Sequence, residues 1–89
     1  MTPRYDVRVA PPAARAIRDE LPESVAAAVI EFILGALAEN PRRVGHPLRA
    51  ELLGLWSARR GTYRVIYSID EDVRVVTVLR VGHRGQIYR

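Results

Sequence analysis

The chemistry open to this chain is that of arginine, histidine and tyrosine. All fourteen basic residues are arginine and none is lysine, and there is no cysteine. Disulfides, thiolate zinc sites and cysteine nucleophiles are thereby removed together. His46 and His83 are the two histidines, too few and too far apart in sequence to suggest a metal centre, so no metal or cofactor is expected. Arginine presents a planar fork that grips phosphate through two hydrogen bonds. Its pKa lies far above neutrality, so it holds charge and moves no protons. Acid–base work falls to His, Tyr, Asp or Glu. The residues that could combine these roles are Arg59 or Arg60, Arg64, His83, Arg84 and Tyr88. Two or three guanidiniums with an imidazole and a phenol form a group suited to a phosphodiester: Arg stabilises developing negative charge, and His or Tyr moves protons.

Charge is distributed unevenly. The net charge is +4, but residues 1–41 sum to −2, residues 42–69 to +5, the turn Asp70 to Asp72 to −3 and residues 73–89 to +4. Arg42, Arg43, Arg49, Arg59, Arg60, Arg80 and Arg89 belong to the two basic stretches. A basic half of this kind suits RNA or DNA, and equally suits a solvated face that keeps a small protein soluble. With 48% hydrophobic and 27% charged residues the composition is that of a globular domain, and 89 residues leave room for a single core, so residues 1–89 are expected to form one domain. No apolar run reaches the length that spans a bilayer, and the charged first residues do not resemble a signal peptide. The expected location is the cytoplasm.

The elements that must position these residues follow from periodicity. Arg4–Val9 alternates as a half-buried strand. Pro11 and Pro12 end it and open a short helix to about Glu20, with Ile17 and Leu21 inward. A second helix starts at Pro22 and Glu23 and stops before Asn40 and Pro41. Its polar stripe is narrow, so its apolar surface, including Ile30 and Leu34, is either wedged into the fold or left for a partner. Arg42–Glu51 reads as a basic connector. Leu52–Arg59, Tyr63–Asp70 and Val73–Val81 read as strands, the last broken by Gly82. The fold class is α+β, ordered β-α-α-β-β-β, with a mainly antiparallel sheet carrying two helices on one face and leaving the other open. Parity then sets Arg64 opposite Tyr63 and Val65, on the open face, while the side taken by Arg80 depends on strand register. Tyr63 and Tyr67 are expected in the core. Trp56 is a packed anchor or a base-stacking platform, and His46 a solvated loop residue or a proton-transfer group.

Three stretches carry a resemblance. They are Gly45 to Arg49 (Gly-His-Pro-Leu-Arg), Leu52 to Tyr67 with its Gly-Thr-Tyr-Arg-Val-Ile-Tyr ending, and Arg80 to Arg84 followed by Ile87, Tyr88 and Arg89. Together, and in the order of elements along essentially the whole chain, they resemble the RelE/ParE toxin superfamily, closest to its RelE branch. The resemblance implies the toxin of a type II toxin–antitoxin pair that enters the ribosomal A site and cuts mRNA. It implies that Arg64 contacts the scissile phosphate, that Arg84 is a second phosphate or transition-state arginine, and that Tyr88 stacks on or orients the substrate. His83 sits where relatives carry a basic residue or histidine, and His46 near a position where some carry a carboxylate base. It further implies 16S rRNA as a contact of the basic half and an antitoxin that is acidic where it binds. The second-strand lysines of well-known RelE members are absent between Leu55 and Ala58. Two alternatives therefore stand beside the nuclease: a ParE-like gyrase inhibitor without a nuclease site, and a degenerate toxin that only binds antitoxin or RNA.

Overall fold

The computed structural model describes residues 4–83. The chain runs β1 (Asp6–Val9), α1 (Pro11–Arg15), α2 (Glu23–Phe32), β2 (His46–Pro47), β3 (Trp56–Arg60), β4 (Tyr63–Asp70) and β5 (Val75–His83). Pro11 opens α1, where a missing N–H costs nothing and φ is already helical. Both helices continue in wider, π-type turns, Ala16–Glu20 after α1 and Ile33–Leu37 after α2. Helical backbone persists to Glu39, and Asn40 and Pro41 end it.

The strands form one sheet in the order β1-β5-β4-β3-β2. β1 lies parallel to β5 and every other pair is antiparallel. One face is packed by the helices: Ala13, Ala16, Val29, Phe32, Ile33 and Leu37 meet Ala58, Val65, Tyr67, Val76, Val78 and Val81. The alanines of α1 bring that helix close to β5, so the small residues carry packing as much as helix propensity.

The structure corrects several sequence expectations. β3 begins at Trp56 rather than Leu52, because Ala50–Leu52 forms a 3₁₀ turn and Gly54 takes φ +96°. The connector holds a short edge strand, β2, in which Pro47 removes a ladder donor and so blunts the sheet edge. Gly82 does not break β5, since it pairs with Arg64 inside the ladder. At the other end β5 starts at Val75, because Asp70 Oδ1 accepts from the backbone N–H of Asp72 (3.0 Å) and Arg74 lies at φ +54°, extending the turn by two residues.

One irregularity settles a parity left open by the sequence. Ile66 pairs with Arg80 but Tyr67 pairs with Val78, so β5 carries an extra residue at Leu79. The bulge shifts the alternation, and Val81 instead of Arg80 enters the core beside Val65. Arg80 is exposed, opposite Ile66.

Candidate functional site

The face away from the helices is assembled by register. β3 and β4 are joined through Gly61 at φ +62°, the left-handed position a two-residue hairpin turn requires. That turn sets Arg59 directly across from Arg64, and the next pair toward the sheet centre is Ser57 with Ile66. β2 adds His46 beside Ser57, and β5 adds Gly82 beside Arg64 and Arg80 beside Ile66. Gly82 contributes no side chain directly across the ladder from Arg64.

A pocket of about 420 Å³ lies on this surface, lined by Arg43, Val44, Gly45, His46, Ser57, Arg59 and Arg64. Its lining among the described residues holds three guanidiniums and an imidazole and no carboxylate. A second pocket of about 180 Å³ shares Arg59 and Arg64 and is closed by Gly61, Thr62 and His83. The two arginines thus form the ridge between two concave surfaces. Like charges directly opposed across a ladder are destabilising. The Nε of Arg64 is in addition buried with no hydrogen-bond partner among the described residues. Two opposed guanidiniums with no carboxylate in the pocket lining suit an anion that supplies the counter-charge.

The wall of the larger pocket is held from below. Tyr67 is buried in the core and its hydroxyl donates to the carbonyl of the buried Pro41 at 2.6 Å. Burial pushes its phenol up to about 12, so it stays a neutral donor at any physiological pH. Gly45 passes so close that a Cβ there would lie 2.2 Å from the Tyr67 hydroxyl and 2.6 Å from the Ser57 carbonyl oxygen. Only glycine lets this loop reach the sheet.

The structure brings together some of the sequence-predicted residues and separates others. Arg43, His46, Arg59 and Arg64 share one pocket. His83 rims the smaller pocket, yet it pairs with Tyr63 and meets that ring edge-on at 5.9 Å, on the helix side of the sheet. Arg60 also departs from the group: one residue beyond Arg59 its parity reverses, and its guanidinium lies 3.8 Å from the Phe32 ring centroid. Arg42 lies outside the pocket lining: it is ion-paired to Glu71 and lies 5.9 Å from the Trp56 ring centroid. Arg80 rims a separate pocket with Arg15 and Glu20, along the part of β5 beyond its pairing with β1. Arg49 is exposed ahead of the 3₁₀ turn. Ile30 and Leu34 are exposed on the second helix, 41% and 60%, while Val29, Phe32, Ile33 and Leu37 are buried. Trp56 packs against the core and stacks on Tyr67. Arg84, Tyr88 and Arg89 lie outside the described residues.

Ser57 and Glu71 were given no role from the sequence, and Gly45 entered only as part of a motif. Ser57 shares parity with Arg59, a signal the sequence carries. Nothing local marks Glu71, whose hydrogen-bond partners Tyr5 and Arg42 lie far away in sequence. Among the described residues no helix is long and apolar enough to cross a membrane, and no group of three or more His, Asp or Glu is placed to hold a metal.

Known proteins are similar to this chain in sequence and fold. The profile of the ParE toxin of the type II toxin–antitoxin system, parDE, matches residues 7–88. Toxin RelG of Mycobacterium tuberculosis is 52% identical over 85 residues, covering 96% of this chain and 97% of its own length. Toxin RelE of the same organism is 47% identical over 85 residues, covering 96% of this chain and 87% of its own. Among solved structures, the toxin–antitoxin complex RelBE2 of M. tuberculosis contains a chain that superposes with a TM-score of 0.86 at 51% identity, covering 91% of this chain and 99% of that one. A helix-backed sheet with an arginine ridge, matched along nearly its whole length to toxins of this kind, makes the chain a member of the RelE/ParE superfamily of type II toxin–antitoxin toxins.

Proposed function

We propose that this toxin is a ribosome-dependent mRNA endonuclease that cleaves in the A-site codon and is neutralised by a cognate antitoxin. The observation that carries this reading is the opposed pair Arg59 and Arg64, set with Arg43 and His46 around one pocket and with the Arg64 Nε lacking an acceptor. A phosphodiester supplies the missing counter-charge. In the reaction the mRNA 2′-hydroxyl loses its proton to a base and attacks the adjacent phosphorus. The bond to the 5′-oxygen breaks, and that oxygen takes a proton from an acid. Arg64 neutralises the charge that builds on the phosphoryl oxygens, with Arg59 beside it and Arg84 joining through the family resemblance. His46 is the imidazole that shares the pocket with Arg64 and is our candidate for one proton transfer, with His83 at the far side of the ridge as the other. Tyr88 is assigned to base stacking by resemblance alone. The ribosome orients the codon, an entropic contribution a domain of this size does not make alone.

Antitoxin binding is supported by the M. tuberculosis relative, which was solved as a toxin–antitoxin complex. The exposed Ile30 and Leu34 provide apolar surface for it. The deciding experiment is primer extension on a defined mRNA in a purified translation system with a vacant A site. The expected result is a discrete stop in the A-site codon that needs both ribosomes and Arg64. An intact message with translation continuing would overturn the nuclease assignment, and a supercoiling assay with gyrase would then separate a ParE-like inhibitor from a degenerate toxin.

A further inference from the structure

Away from the arginine ridge, three distant segments meet at one carboxylate. Glu71, in the turn between β4 and β5, accepts hydrogen bonds on Oε1 from the Tyr5 hydroxyl and from Arg42 Nη1. Arg74 Nη1 lies 3.9 Å from Oε2 and its guanidinium sits 4.1 Å from the Tyr5 ring centroid. The bond from Tyr5, then that from Arg42, hold the Glu71 carboxyl below the ordinary carboxylate range. The carboxylate is therefore charged throughout the neutral range.

Arg42 is the residue through which this cluster reaches the pocket. Its backbone neighbours are Pro41, whose carbonyl is held by Tyr67, and Arg43, the first residue of the pocket wall. Gly45 and His46 follow, with Gly45 against Tyr67 and Ser57. The wall is thus anchored by two contacts at its start, one buried and one charged. Arg42 is drawn toward Glu71 and Trp56, which leaves its neighbour Arg43 to face the pocket.

We infer that Glu71 is a positioning residue for the anion site: by holding Arg42 it fixes the 43–46 wall, so that Arg43 and His46 stand opposite Arg59 and Arg64. This deepens the proposed function and rests on it for the identity of the ligand. The inference makes a prediction opposite in sign to simple electrostatics. Glu71→Gln removes one negative charge from a protein of net charge +4 and frees a guanidinium. Long-range attraction alone would then tighten RNA binding. Loss of positioning weakens it instead, because the wall must be ordered on binding.

The test uses fluorescence anisotropy with a labelled single-stranded RNA oligonucleotide at low salt, alongside amide NMR of the free protein. Glu71→Gln is expected to weaken RNA binding by about threefold to tenfold. Glu71→Asp, which keeps the charge, is expected to restore most of the loss. Glu71→Gln added to Arg42→Gln should weaken binding no further, since the effect runs through Arg42. In the spectra, amide signals of Arg43, Val44, Gly45 and His46 should move, while those of Val65 and Val76 stay. Tighter or unchanged RNA binding in a folded Glu71→Gln protein, or shifts confined to Tyr5 and Arg74, would overturn the inference. Should Glu71→Gln fail to fold, Arg42→Gln must move the same four amide signals, and if it does not the inference fails. A wild-type protein that binds no RNA would count against the proposed function, and the amide signals would still decide the positioning role.

Discussion

Replacing Arg64 by Gln should abolish function and raise stability, a combination that separates a ligand-binding residue from a structural one. Three contributions set the magnitude. Arg64 faces Arg59 directly across the β3–β4 ladder, and relieving two like charges at that spacing is worth roughly 0.5–1 kcal/mol. The Arg64 Nε is buried without a hydrogen-bond partner among the described residues, and removing an unmet donor recovers roughly 1 kcal/mol. Against these, Gln loses one methylene of a half-buried stem, which costs roughly 0.4 kcal/mol. The sum is a stabilisation of about 1 kcal/mol, or an increase in Tm of about 4–8 °C for a domain of this size. The charge term belongs to a solvent-facing pair, and the Debye length falls from ~30 Å at 0.01 M salt to ~3 Å at 1 M. Thermal denaturation of wild type and Arg64→Gln at both ionic strengths isolates it: the gain should shrink toward the hydrogen-bond contribution at high salt. Ribosome-dependent cleavage should fall by about 10²–10³ in the same protein, as for loss of one preorganised oxyanion donor. Arg59→Gln should show part of the same salt-sensitive gain, and the two substitutions together should gain less than their sum. An Arg64→Gln protein less stable than wild type at low salt would refute the reasoning, because it would make Arg64 a structural residue.

Other consequences can be checked separately. Tyr67→Phe leaves the Pro41 carbonyl without its donor and should cost about 1–3 kcal/mol in chemical denaturation. The folded-state pKa of Tyr67, about 12, lies above its ordinary value. Its contribution is therefore fully present below about pH 10 and lost as pH rises toward about 12, a decline that the Phe protein should lack. Gly45→Ala places a methyl group inside contact distance of Tyr67 and Ser57, and should destabilise by about 1–3 kcal/mol and weaken RNA binding. Ile30→Glu or Leu34→Glu should reduce antitoxin affinity by about tenfold or more while leaving Tm nearly unchanged, since both side chains are exposed. Unaltered affinity in titration calorimetry would remove this helix surface from the interface.

How much of the molecule could be read from its residues depended on the range of the interaction involved. Periodicity located both helices, because the apolar spacing and the bounding prolines are local properties. It placed Arg64 on the open face, because alternation on an unbroken strand admits only two sides. It misplaced both ends of the β-meander. Leu52 to Leu55 is apolar enough for a strand, but a 3₁₀ turn and a left-handed Gly54 occupy it. Gly82 looks like a breaker, but it is held in the ladder by Arg64. The residues proposed to recognise an anion were named from arginine chemistry and from family resemblance, and RelE-like membership was legible in the three motifs.

Grouping was decided only in three dimensions. The composition by itself determined that any chemistry here would rest on guanidinium, imidazole and phenol, and that the basic half would face a polyanion if it faced anything. The bulge at Leu79 turned Val81 inward, and the reversal at Arg60 carried a second guanidinium to Phe32. Arg42 and Arg43 are adjacent and chemically identical, yet one is neutralised by Glu71 while the other lines the pocket. No sequence pattern separates such neighbours, because the partner that distinguishes them lies 29 positions away and meets them only when β4 and β5 close onto the loop. Side-chain identity is local, but charge balance belongs to the folded surface.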